Sequence, residues 1–177
     1  MKVICISGKA RSGKDATANI IQEQLEKEGY KVFRVAYADY LKDICRRIAG
    51  YNGLEKPREL LQTLGTDIVR NKLDMKHFWI NHVIGEIKIA KELGYTHTLI
   101  TDCRFPNEIY IPKAEFEDCV SVRVKRINFE SELTSKQKQH ESETSLDNFN
   151  FDINIQAMEG IENLKSVIFS YLDTFRQ

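Results

Sequence analysis

Gly8-Lys9-Ala10-Arg11-Ser12-Gly13-Lys14-Asp15 lies between an apolar run, Val3-Ile4-Cys5-Ile6, and a stretch from Asp15 to Lys27. That stretch carries Ala16, Ile20, Ile21 and Leu25 near helical spacing and stops at Gly29. The eight residues match G-x-x-x-x-G-K, and the spacing has a physical reason. The glycines let the backbone fold around phosphates, so that successive N–H groups and a helix N-terminus point at the anion. Gly8, Arg11, Ser12, Gly13, Lys14, Asp15 and Ala16 are therefore candidates to surround a chain of phosphates, with Lys14 reaching its terminal oxygens. A strand-to-helix turn in which Gly and Lys recur by chance is the competing reading. The strand before, the helix after and the position near the N-terminus all oppose it. Asp15 departs from the usual Ser or Thr. A carboxylate there can ligate Mg²⁺ directly, or it can simply favour the helix N-terminus through the dipole.

Outward from that loop, short apolar runs alternate with longer helical ones. A second strand is expected over 31–37, then helical material over 40–49, 57–72 and 78–93, closed by Gly94. A third strand, Thr98-Leu99-Ile100-Thr101, ends in Asp102, and a helix follows Pro106. The fourth strand spans 119–124. The fifth, 151–155, leads into a last helix over 161–175. Strands alternating with helices imply an α/β fold, a five-stranded parallel sheet covered on both faces. Neither repeats nor a linker divide the chain, so 1–177 reads as a single domain. Two insertions stand out, 40–94 and the polar, charged stretch 125–150.

The bulk numbers narrow the partners. At 177 residues the chain is long enough for one full α/β core. Lys+Arg and Asp+Glu are both 26, so the net charge is zero. A free-standing duplex-binding protein would be more basic, and the expected partner is a small molecule rather than nucleic acid. The four cysteines, Cys5, Cys45, Cys103 and Cys119, have no metal-ligand spacing and read as reduced core thiols. No stretch approaches the roughly 20 apolar residues of a membrane span. The N-terminus begins directly with a strand pattern and has no signal-peptide h-region. A cytoplasmic protein is expected.

Further motifs follow in order: Tyr37-Ala38-Asp39-Tyr40-Leu41-Lys42, then Leu61-Gln62-Thr63-Leu64-Gly65-Thr66-Asp67 with Arg70 and Phe78-Trp79. Next come Thr101-Asp102-Cys103-Arg104-Phe105-Pro106-Asn107-Glu108, and His140-Glu141-Ser142-Glu143 before Leu146-Asp147. Together with Ile6 to Asp15, this set resembles the deoxynucleoside monophosphate kinases of bacteriophages and some bacteria over nearly the whole chain. An Asp at the loop's end is usual in that group. The outline is also similar to animal-type phosphomevalonate kinases, which share a Gly-Lys-Asp loop and something like Glu141-Ser142-Glu143 before Leu146-Asp147-Asn148-Phe149. The stretch 62–79 and the run Arg104-Phe105-Pro106-Asn107-Glu108 fit the nucleotide group better. Either resemblance implies a P-loop NTPase three-layer fold of nucleoside monophosphate kinase type, with 40–94 binding the acceptor and 125–150 acting as a lid. The implied reaction is ATP plus a deoxynucleoside monophosphate giving ADP and the diphosphate, with Mg²⁺. A homodimer is compatible with it. A non-catalytic nucleotide-binding switch is the reading from another class, opposed by the two substrate-sized insertions.

The resemblance also distributes roles. Asp39, after the second strand, faces the acceptor or caps a helix. Asp102 stands where a strand-end carboxylate holds Mg²⁺, together with Asp15, and Arg104 two residues on can bind a phosphate through its planar fork. A surface Asp–Arg pair is the plainer alternative. Lys42 and Arg70 could neutralise the acceptor phosphate, Gln62 could bond a base edge, and Trp79 could stack on the base or fill the core. Among Arg123, Arg126, Lys136 and Lys138, Arg126 is the preferred lid cation at the transition state; a solvated charged face is the alternative. Glu108, His140 and Glu143 complete the acceptor candidates, with Glu143 contacting a ribose hydroxyl or salt-bridging the lid. Catalysis would rest on Lys14, Asp39, Asp102, Arg104 and Arg126.

Overall fold

The six residues of β1 (Lys2–Ser7) are all buried, as a central parallel strand requires. The computed structural model describes residues 1–50, 58–127, 133–158 and 160–176. Around β1 a five-stranded sheet is assembled in the order β2-β3-β1-β4-β5, every pairing parallel. The other strands are β2 (Val32–Val35), β3 (His97–Cys103), β4 (Cys119–Arg126) and β5 (Ile153–Ala157).

Alternation along β1 decides the layers. Ile4 and Ile6 face a core built with Ile21 and Leu25 of α1 (Lys14–Lys27), Leu164 and Ile168 of α8 (Ile161–Phe169), and Phe175 of α9 (Leu172–Arg176). Val3 and Cys5 face the opposite core. There α2 (Tyr37–Ala49), α4 (Phe78–Glu92) and α5 (Asn107–Glu115) contribute Leu41, Ile80, Ile87 and Ile109. The expected three-layer parallel α/β fold is what forms. The cysteines are free thiols, with Cys5, Cys45 and Cys103 buried and Cys119 half-buried. Among the described residues, no helix is long and apolar enough to cross a membrane.

Three local expectations are corrected. Helix α2 starts at Tyr37 rather than Tyr40, because its cap comes from a different strand, as described below. The stretch read as one helix over 57–72 is α3 (Arg58–Gln62) followed by a π-helical segment, Thr63–Lys72. Its last turn is wide: the Leu73 N–H donates to the Ile68 carbonyl five residues back, at 2.9 Å. The Gly65 carbonyl in this segment accepts the Trp79 indole N–H at 3.0 Å. The polar segment 125–150 also holds more order than its composition suggests. It contains α6 (Ser135–Gln139), closed by a capping box between Thr134 and Gln137, and α7 (Glu141–Thr144), begun by the His140 side chain.

Candidate active site

Ser7 ends β1 beside Cys103 of β3 and Arg123 of β4. The carboxyl ends of three strands therefore open around the loop 8–15, at the point where strand order reverses, which is where ligands of such sheets bind. The loop adopts the backbone that phosphate binding requires. Arg11 and Gly13 have φ of 60° and 93°, in the left-handed region, and the Ser12 N–H closes a turn onto the Lys9 carbonyl at 3.1 Å. A Cβ on Gly8 would lie 2.8 Å from the Val124 carbonyl oxygen, so only glycine fits between loop and β4. Helix α1 starts at Lys14 with no side-chain cap, which leaves its first N–H groups to an anion.

A cleft of about 1040 Å³ opens from this loop. From the loop it is lined by Arg11, Lys14 and Asp15, and from the end of β3 and the start of α5 by Asp102, Arg104 and Glu108. Asp39 and Lys42 of α2 line it too, as do Arg58, Gln62 and Trp79 farther along the first insertion. Leu133, Gln137, Ser142 and Glu143 of the second insertion close one side. The cleft thus gathers both residues expected for the metal, most of those expected for the acceptor, and Arg11, Lys14 and Asp15 of those expected for the donor. Gly8, Ser12, Gly13 and Ala16 of the loop and of the α1 start do not line it, and neither do Arg70, Arg126 and His140.

Arg70, Arg126 and His140 each have a structural position of their own. Arg70 is buried; its guanidinium donates to Glu108 (3.2 Å) and Asn107 (2.7 Å) and lies 3.8 Å over the Phe105 ring. Arg126 ends β4, exposed. His140 caps α7 through Nδ1, and its Nε2 meets Asp67 at 3.3 Å.

Asp102 is committed to backbone. One of its oxygens accepts the Tyr37 N–H at 2.8 Å and the other the Ala38 N–H at 2.9 Å, capping α2 from β3. Burial raises its pKa, and those two N–H bonds pull the other way. The capping role considered for Asp39 thus belongs to Asp102; Asp39 stands in the first turn, exposed, paired with Lys42 at 2.9 Å. Glu108 plays a related part at α5, accepting the N–H groups of Arg104 (2.6 Å) and Phe105 (3.1 Å). Burial pushes its carboxyl up to about 7, against the pull of Arg70.

The donor set suits Mg²⁺. Asp15 is largely exposed at the cleft wall, 3.9 Å from Arg34 and 4.0 Å from Lys14. Each Asp102 oxygen keeps a lone pair beyond its N–H bond. Among the described residues no cluster of three or more metal-ligating side chains forms. An ion held by one or two carboxylates plus phosphate oxygens and water needs none.

Two further observations concern the first insertion, at Gln62, which the sequence had singled out, and at Arg58, which it had not. Gln62 has its amide nitrogen buried at the cleft wall with no hydrogen-bond partner. Arg58, at the start of α3, reaches Glu143 at 3.3 Å, a contact across 85 positions that no local pattern announces.

A parallel sheet in this order, with a glycine-rich loop feeding α1 and an acceptor-sized cleft at the strand ends, defines a P-loop kinase. Solved structures of similar fold are a sugar kinase from Janibacter sp. HTCC2649, with TM-score 0.60 at 12% identity over 99% of this chain and 96% of that one. An APS kinase from Mycobacterium tuberculosis has TM-score 0.50 at 12% identity over 97% and 96%. A dephospho-CoA kinase from Campylobacter jejuni has TM-score 0.50 at 9% identity over 98% and 97%. No curated protein sequence matches the chain. The model of the deoxynucleotide monophosphate kinase family matches residues 33–168, more than three quarters of the chain, and the protein belongs to that family. That match begins beyond the phosphate loop, so loop and family point independently to the same chemistry. The protein is a nucleotide kinase, a phosphotransferase that uses ATP.

Proposed function

We propose that the protein transfers the γ-phosphoryl group of ATP to a deoxynucleoside monophosphate. The observation that carries this reading is one cleft lined both by the phosphate-loop residues Arg11, Lys14 and Asp15 and by Gln62 of the first insertion, whose amide nitrogen has no hydrogen-bond partner; Trp79, with its indole N–H on the Gly65 carbonyl, backs it from the core. A nucleobase offers a flat polar rim whose ring nitrogens and carbonyl oxygens can accept from that amide.

In this reading the N–H groups of the loop and of the α1 start hold the donor's phosphates, and Lys14 compensates charge on the β/γ oxygens. Asp15 and Asp102 would hold Mg²⁺, which supplies charge neutralisation on the transferring group. By capping α2, Asp102 also fixes Asp39 and Lys42 against the acceptor. A monophosphate brings about two negative charges, met by Arg104 and Lys42. Asp39 accepts a hydrogen bond from the acceptor. Glu108 holds the backbone of Arg104, and through it the aim of the guanidinium. Arg70 acts one step further back, through Glu108. Residues 125–150 form the lid, with Arg126 brought toward the phosphates on closure and His140 anchoring α7 to the first insertion. No covalent intermediate is needed, because positioning and charge compensation supply the rate.

The test is ADP formation from ATP with each deoxynucleoside monophosphate and, separately, with phosphomevalonate. Turnover of at least one monophosphate and none of phosphomevalonate is expected. Lys14→Met should lower that turnover at least about a hundredfold, as loss of one preorganised electrostatic contact does. Turnover of phosphomevalonate alone would overturn the acceptor assignment.

A further inference from the structure

Glu143 joins four separate parts of the chain. It sits in α7 of the second insertion with its side chain only 4% exposed. One carboxylate oxygen forms an ion pair with Arg104 at 3.0 Å and accepts a hydrogen bond from Arg58 at 3.3 Å. The other accepts the Ala10 N–H of the phosphate loop at 3.3 Å. Two guanidiniums are therefore drawn onto one oxygen, although their like charges repel. Both also line the cleft, with 28% and 23% of their side chains exposed for Arg58 and Arg104.

This arrangement has a consequence for charge. One carboxylate does not neutralise two guanidiniums, so the pair keeps a net positive charge, and each fork has donors beyond the nitrogen spent on Glu143. Paired planar forks are the donor geometry that phosphate takes best. The pair stands one carboxylate width from Ala10, that is, beside the loop that would carry the donor's phosphates. In-line transfer needs the acceptor's phosphate at that distance. Arg70, the other arginine expected there, is spent on Glu108 and Asn107.

Resting on the kinase reading above, we propose that Arg58 and Arg104 form a two-arginine clamp for the acceptor's phosphate, and that Glu143 is the positioning residue holding the clamp against the phosphate loop. Arg58 touches the ligand; Glu143 acts through the two arginines and does not.

The experiment uses the full chain saturated with a non-hydrolysable ATP analogue, so that the loop is filled, and titrates inorganic phosphate by calorimetry. The wild-type protein should bind phosphate saturably. Arg58→Ala should weaken that binding roughly 10- to 100-fold, the worth of a charged hydrogen-bond pair, and Arg58→Lys should restore part of it. Glu143→Gln should weaken it in the same direction, with its folding checked by thermal unfolding, while analogue binding stays unchanged in the two Arg58 variants and shows that they fold. With a monophosphate substrate, Arg58→Ala should raise the acceptor KM and leave the ATP KM unchanged. Unchanged phosphate affinity in Arg58→Ala, or no phosphate binding by the wild-type protein, would overturn the clamp. Tighter phosphate binding in Glu143→Gln would also overturn it, because Glu143 would then be a competitor for the site. Phosphate binding by the clamp with no turnover of any monophosphate would sink the acceptor assignment and leave the clamp standing.

Discussion

Asp102→Asn separates two functions that converge on one carboxylate. The structure gives Asp102 a capping role, with one oxygen on the Tyr37 N–H and the other on the Ala38 N–H. An amide keeps a single acceptor oxygen and turns an NH₂ group toward the second backbone N–H. One charge-assisted bond becomes neutral, and the other becomes a donor facing a donor in a half-buried position. An unsatisfied buried donor costs about 1–3 kcal/mol, a sizeable part of the roughly 5–15 kcal/mol that stabilises a domain. In urea, with a slope near 2 kcal/mol/M, the unfolding midpoint should fall by roughly 1 M. That measurement is made in chelator without nucleotide, so that only the cap contributes. Kinetics at varied Mg²⁺ then test the second role, and Asp102→Asn should raise the Mg²⁺ concentration for half-maximal activity. A wild-type urea midpoint would refute the cap. A lowered midpoint with unchanged Mg²⁺ dependence would refute the metal role and leave Asp102 as the residue that sets α2.

Two further outcomes are expected. Gly8→Ala forces a Cβ to 2.8 Å from the Val124 carbonyl, which the sheet holds in place; overpacking of this kind costs about 1–3 kcal/mol, and ATP-analogue affinity measured by calorimetry should fall with stability. Glu108, pushed up to about 7 from an ordinary 4.5, binds its proton more tightly folded than unfolded, so its contribution to stability is lost as pH rises between those values. Urea unfolding of the wild type relative to Glu108→Gln should therefore show a difference that declines by up to about 3 kcal/mol across that window and is flat above it; a difference independent of pH would show that Arg70 keeps Glu108 ionised throughout.

The loop 8–15 was readable from sequence because its geometry is local. Two glycines and a lysine at fixed spacing, with an apolar strand before and an amphipathic helix after, leave the backbone few other conformations. The strands were readable for a related reason: a parallel strand buried on both faces must be apolar throughout, as in Val3-Ile4-Cys5-Ile6. What the sequence could not rank were side chains whose role depends on a partner far along the chain. Arg70 and Arg58 are both arginines of the first insertion. Packing buries one under Glu108 and Phe105 and brings the other to the cleft beside Glu143. Asp102 and Asp39 are both acidic residues near a strand end, yet the parallel register of β2 on β3 puts Asp102 under the N–H groups of α2 and leaves Asp39 exposed. A hydrogen bond spanning 64 or 85 positions leaves no periodic trace. Local spacing therefore determined the fold and the phosphate loop, and tertiary packing decided which charged groups face the cleft, since burial and pairing exist only once the layers close.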